Sequence, residues 1–162
     1  MYSTRRSINI IIVLSLTALL SLLCPPTMAV DDPIVTTKVN GNFNETLHNV
    51  RMAIIGRSIN IAHVLPASSM LHRTGPNFGY QQDVYAHAQT LEFCSARISH
   101  MLARANPDNI VLCPFTISVY QLTTEPNEVR ISYRIPSGRP GSEKAVAEVV
   151  KLIESILEDA MW

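Results

Sequence analysis

Apolar residues recur along this chain with two different periods, and the switches between them mark its elements. Val35 to Val39 is rich in β-branched residues and predicts a first strand, closed by a turn at Asn40-Gly41. Phe43, Leu47, Val50 and Ile54 then fall three and four residues apart, on one face of a helix. Asn42 caps that helix with Glu45 three residues on, and Gly56 stands where it would end. Ile59, Ile61, His63 and Leu65 alternate with Asn60, Ala62 and Val64, a strand pattern with one histidine in its apolar row. Pro66 to Asp83 has no sustained period and holds at most a short helix at Ser69 to Arg73.

Tyr85 to Phe93 predicts a third strand. Cys94-Ser95 opens a second main helix, in which Ile98, Met101, Leu102 and Ala105 share a face and which Asn106-Pro107 stops. Ile110 to Leu122 and Val129 to Ile135 predict two more strands, joined as a hairpin by Thr123 to Asn127. After a Pro/Gly loop from Pro136 to Gly141, Ser142 caps a last helix with an apolar stripe of Val146, Val149, Val150, Ile153, Leu157 and Ala160. The order is β-α-β-β-α-β-β-α. Helices packed on one face of a mainly antiparallel sheet would bury every stripe, which is an α+β fold.

Before the first strand the pattern is of another kind. Arg5 and Arg6 precede an uncharged apolar stretch from Ile8 to Leu23, Pro25-Pro26 breaks it, and Thr27-Met28-Ala29 suits a signal-peptidase site. Residues 1–29 therefore read as a signal peptide and 30–162 as one domain. The expected location is periplasmic or extracellular. An uncleaved Ile8–Leu23 helix would instead anchor the protein in the membrane, although a spanning helix needs about 20 apolar residues. Leu22-Leu23-Cys24 departs from a lipoprotein acylation site, which wants a small residue before the cysteine.

Removing 1–29 leaves 11 basic against 13 acidic residues. That balance lacks the basic excess a nucleic-acid surface needs, and no nucleic-acid partner is expected. It also provides no polybasic patch for anionic lipid. Two cysteines remain, Cys94 and Cys113, an even number that suggests a disulfide in an oxidising compartment. A bridge here would be worth roughly 3 kcal/mol. Two buried free thiols, or a functional pair, are the alternatives. Cys94 opens a helix, where the dipole favours thiolate and would suit a redox thiol or a metal ligand.

No HExxH, nucleophile elbow, Gly-rich phosphate loop or paired carboxylates appear, so no catalytic residue is assigned. Of the histidines, His63 and His87 both sit in strand patterns and would face each other if those strands pair. With Cys94 and Cys113 they are the candidate ligands of a copper, zinc or haem site. No cofactor is identified. The stretch from His72 to Tyr80 combines His72, Arg73, Asn77, Phe78 and Tyr80 with two glycines, a composition suited to a ligand or partner loop.

Leu91-Glu92-Phe93-Cys94-Ser95-Ala96, Asn109 to Phe115 and Ile117-Ser118-Val119-Tyr120, with the Pro107-Asp108 turn, resemble family 302 of the domains of unknown function. The outline from Val35 to Ala160 is similar too. The commoner form of that family carries a cysteine at the position of Phe115. This chain, with Phe-Cys-Ser-Ala and Cys113-Pro114-Phe115, resembles an exported subgroup. The resemblance implies a TATA-binding-protein-like α+β fold, often a homodimer, and no established activity. The residues support a non-enzymatic binding or accessory module with a Cys94–Cys113 disulfide, whose partner is a small ligand or a protein in the periplasm or at the membrane. Two other readings stay open: a redox- or metal-dependent accessory protein using both cysteines, and a small subunit of a membrane complex held by its N-terminal helix.

Overall fold

The computed structural model describes residues 33–161, so the N-terminal segment and its cleavage site lie outside the described residues. Five strands form one sheet: β1 (Ile34–Asn40), β2 (Ile61–Leu65), β3 (Tyr85–Phe93), β4 (Phe115–Leu122) and β5 (Glu128–Arg134). Their order is β1-β5-β4-β3-β2 and every neighbouring pair is antiparallel. Four α-helices complete the described residues: α1 (Phe43–Ile55), α2 (Ala67–Thr74), α3 (Ala96–Ala105) and α4 (Glu143–Ala160). The α+β class and the antiparallel sheet are as the hydrophobic pattern predicts.

The core lies between one face of the sheet and α1, α3 and α4. Alternation on the central strands sends Leu91, Phe93, Ile117, Val119, Val129 and Ile131 inward, all fully buried. Val50 and Ile54 of α1, Ile98 and Leu102 of α3, and Ile153 and Ile156 of α4 close over them. The Asn42 side chain accepts hydrogen bonds from the backbone N–H of Asn44 and Glu45, the cap that the sequence announces. In α4 the buried stripe runs through Ala145, Val149, Ile153, Ile156, Leu157 and Ala160, while Val146 and Val150 stay half-buried beside it.

Two local rules defeat the simple pattern. Ile110 to Leu112 carries a β-branched run yet belongs to a 3₁₀ turn, Pro107–Leu112. Asn106 caps it by accepting from the Asp108 N–H at 2.9 Å, and Pro107 at its first position fixes a helical φ. Strand β4 then starts only at Phe115. In β2 a register irregularity between Ile61 and His63 breaks the alternation. Ile61 and Val64 turn to the core, whereas His63 and Leu65 are exposed.

The sheet's second face is covered only in part. Helix α2 buries none of its own residues and lies against β3, where the Ala88 N–H donates to Ser68 Oγ at 3.0 Å. Among the described residues no helix is long and apolar enough to cross a membrane.

Candidate functional site

Beneath α2 the chain builds a pocket from residues that the core does not use. A 3₁₀ turn, Gly75–Phe78, follows α2 directly, and Gly79 reverses the chain with φ +83°, a left-handed conformation that suits glycine. The Tyr80 N–H closes the turn on Gly75 O at 3.0 Å. The far end is tied by His72 Nδ1 and Asp83 Oδ2, 2.7 Å apart. Thr123 Oγ1 donates to Asp83 O at 2.9 Å and anchors the segment to the β4–β5 hairpin. Inside this frame lies a cavity of about 440 Å³, walled mainly by Met70, Leu71, Phe78, Tyr80, Val84 and Tyr85. Phe78 and Tyr80 are 72% and 73% exposed, so these rings serve the cavity mouth rather than the core.

A second cavity, about 400 Å³, adjoins the first and shares Leu71 and Tyr85 with it. Its floor is the open face of the sheet. Side chains there alternate away from the apolar core and are mostly hydroxyls. Thr90 and Ser118 pair across β3 and β4 at 2.8 Å. Ser132 joins Thr36 at 2.7 Å and donates to Tyr120 Oη at 3.2 Å, carrying the network over β5 to β1. Tyr85 meets Tyr120 edge-to-face at 5.5 Å, where the apolar cavity passes into the hydroxyl-lined one. Arg134 also lines the second cavity.

The five loop residues singled out in the sequence divide by role. Phe78 and Tyr80 wall the apolar cavity, and His72 ties the loop through Asp83. Arg73 and Asn77 are exposed and lie outside both linings. Met70, Leu71, Val84, Tyr85 and Arg134 have no motif to announce them. The usable signal is the polar row Thr116, Ser118, Tyr120 on β4, out of phase with a buried row on the same strand.

Cys94 and Cys113 form a disulfide, with α-carbons 6.0 Å apart. It joins the end of β3 to the residues just before β4, across α3 and the 3₁₀ turn. Cys94 also borders a third cavity, about 800 Å³, between α3 and α4. The charges around that cavity are largely paired: Arg97 with Glu148 at 2.6 Å, Arg57 with Asp159 at 2.8 Å. Arg57 further donates to the Ala53 and Ser155 carbonyls.

His63 and His87 do not face each other, although β2 and β3 pair. His63 stands opposite Glu92, whereas His87 lies beyond the end of β2, opposite Gln121, and stacks on Phe43 at 5.0 Å. The four candidate metal ligands are therefore not gathered at one point. Among the described residues no group of three or more His, Cys, Asp or Glu side chains is placed to hold a metal ion.

The family described as "Domain of unknown function DUF302" matches residues 35–160. The chain belongs to the DUF302 family. The crystal structure of an uncharacterized conserved DUF302 protein from Bacillus stearothermophilus superposes with a TM-score of 0.66 at 17% identity, covering 79% of this chain and 98% of that one. At that identity the likeness is one of fold. No curated protein matches the chain. The disulfide, the aromatic turn and the open-face cleft are therefore read from this DUF302 chain's own residues.

Proposed function

We propose that this DUF302 chain is an exported, non-enzymatic binding module that takes a small, largely apolar ligand under α2. One observation carries the reading: Phe78 and Tyr80 stand exposed around an apolar cavity, held there by a tied turn rather than by core packing. Exposed aromatics at a concave apolar site are the usual makings of a ligand pocket. Export is supported by the Arg5-Arg6, Ile8–Leu23 and Thr27-Met28-Ala29 pattern, and agrees with a disulfide as structural staple.

The test uses protein expressed from the full chain with its own leader and recovered from the periplasm. N-terminal sequencing should begin at Val30, and a chain that keeps Met1 and stays in the cytoplasmic fraction refutes the export half. For binding, the neutral fluorophore N-phenyl-1-naphthylamine should brighten and saturate at one site. Phe78→Ser combined with Tyr80→Ser should weaken it roughly tenfold or more, since losing one well-buried aromatic contact is worth about 1.5 kcal/mol or more. An unchanged affinity in the double variant removes the pocket from consideration.

A further inference from the structure

We propose that the ligand is an amphiphilic carboxylate, its apolar body held by the aromatic cavity and its head group on Arg134 and the hydroxyl floor of the adjoining cleft. This deepens the binding-module reading and rests on it. The two cavities meet at Leu71 and Tyr85, so one extended molecule can occupy both. Their linings differ in kind. The first is walled by Met70, Leu71, Phe78 and Val84, and the second is floored by Thr90, Ser118, Tyr120 and Ser132. A purely apolar ligand would leave the hydroxyl half without use, and a purely polar one would waste the aromatic half.

Arg134 fixes the sign of the head group. Arg130 and Arg134 lie on the same strand and the same face of the sheet. Arg130 is neutralised twice, by Glu125 at 2.5 Å and Glu128 at 2.9 Å. Arg134 makes no ion pair among the described residues, and it borders the cleft, which Arg130 does not. The acids on this side of the sheet are accounted for in turn. Glu125 and Glu128 are held by Arg130, with Glu128 also held by Lys38 at 3.0 Å. Asp83 is held by His72 on the apolar side. Glu92, opposite Thr116 on the same face, does not line the cleft. A planar guanidinium with donors free is matched by a carboxylate, which it can grip with two hydrogen bonds. The adjoining hydroxyls can donate to the same oxygens.

The experiment is displacement of N-phenyl-1-naphthylamine from the full-chain product by octanoate, octan-1-ol and octylammonium, which share a tail and differ in head charge. Octanoate should compete at roughly tenfold lower concentration than octan-1-ol, with octylammonium weakest, as expected for one charge-assisted hydrogen bond. Arg134→Gln should bring octanoate to the level of octan-1-ol and leave octan-1-ol unchanged, while Arg134→Lys should restore part of the preference. Arg130→Gln should leave the preference intact. Thermal melts of the variants confirm that each is folded. Equal competition by octanoate and octan-1-ol in the unaltered protein, or no competition by either while the fluorophore binds, overturns the carboxylate inference and spares the apolar pocket. Failure of the fluorophore itself to bind overturns the reading beneath it.

Discussion

Asn109 shows how much a single polar side chain can organise without any periodic signal. It is 2% exposed, immediately before the β-branched run that follows α3. Its Nδ2 donates to Leu102 O at 3.0 Å and to Ser142 Oγ at 2.7 Å, and its Oδ1 accepts from the Arg139 N–H at 3.0 Å. One residue thus joins the end of α3, the Pro/Gly loop and the start of α4. Ser142, expected to cap α4 with its hydroxyl, makes no such cap, and its oxygen accepts from Asn109. Asn109→Ala removes three hydrogen bonds at once, leaving Ser142 Oγ and the Arg139 N–H without this partner while Leu102 O keeps the Asn106 N–H, and should cost about 2–4 kcal/mol. Urea unfolding measures this directly, and a loss below about 0.5 kcal/mol, the level of an indifferent surface change, contradicts the assignment. Nothing in the sequence separates Asn109 from a loop asparagine, because its importance comes from three segments that meet only in the fold.

Among the elements, those with a sustained hydrophobic or β-branched pattern were legible, including the half-buried edge strand β1, and those set by local capping or lacking a buried face were read wrongly or only in part. Strands β3, β4 and β5 and helices α1, α3 and α4 announce themselves because each sends a periodic row of apolar residues into the core. The 3₁₀ turn at Pro107–Leu112 is hidden behind Ile110 and Val111, which are 68% and 80% exposed and so give the appearance of a strand without its burial. Helix α2 shows in the sequence only as the short stretch Ser69 to Arg73 within its Ala67–Thr74, for the opposite reason: it buries none of its residues and leaves no long apolar face to count. The candidate site suffers accordingly, since α2 is one wall of it. The Cys94–Cys113 pairing follows from the crossover, because β3 and β4 are antiparallel neighbours and the bridge closes the segment between them. Cys94→Ala with Cys113→Ala should lower stability by about 3 kcal/mol, since the sequence separation is 19 residues. Hydrogen exchange should show α3 and the 3₁₀ turn losing protection before the sheet does. Equal unfolding midpoints for the variant and the unaltered protein would show that the staple is idle.

At the scale of the whole molecule, acid weakens several joints that share no contact. Glu128 lies on the β1–β5 seam, and the hydrogen bond from Lys38, then that from Arg130, holds its carboxyl below the ordinary value of 4.5. Glu148 ties α4 to α3, and Arg97 depresses it in the same way. Glu143, at the start of α4, is lowered by backbone N–H groups, its own and that of Gly141. In each case the folded state releases its proton more readily than the unfolded chain. Their contribution is therefore complete above about pH 4.5 and is lost as the pH falls through the depressed folded values. Tyr133 works in the other direction. Burial, then the negative charge of Glu154, raises its phenol above 10.0, so its contribution is present below pH 10 and is lost as the pH rises through the raised value. Stability should thus be flat through neutrality and fall at both ends. Urea midpoints taken across pH check this, with Glu128→Gln plus Glu148→Gln making the acid limb shallower. Because those two carboxylates are partly exposed ion-pair members, 1 M salt should flatten their share, whereas the share of Glu143, set by local backbone hydrogen bonds, should persist. An acid limb that the double variant leaves unchanged at low salt would place the acid sensitivity elsewhere than at the β1–β5 and α3–α4 joints.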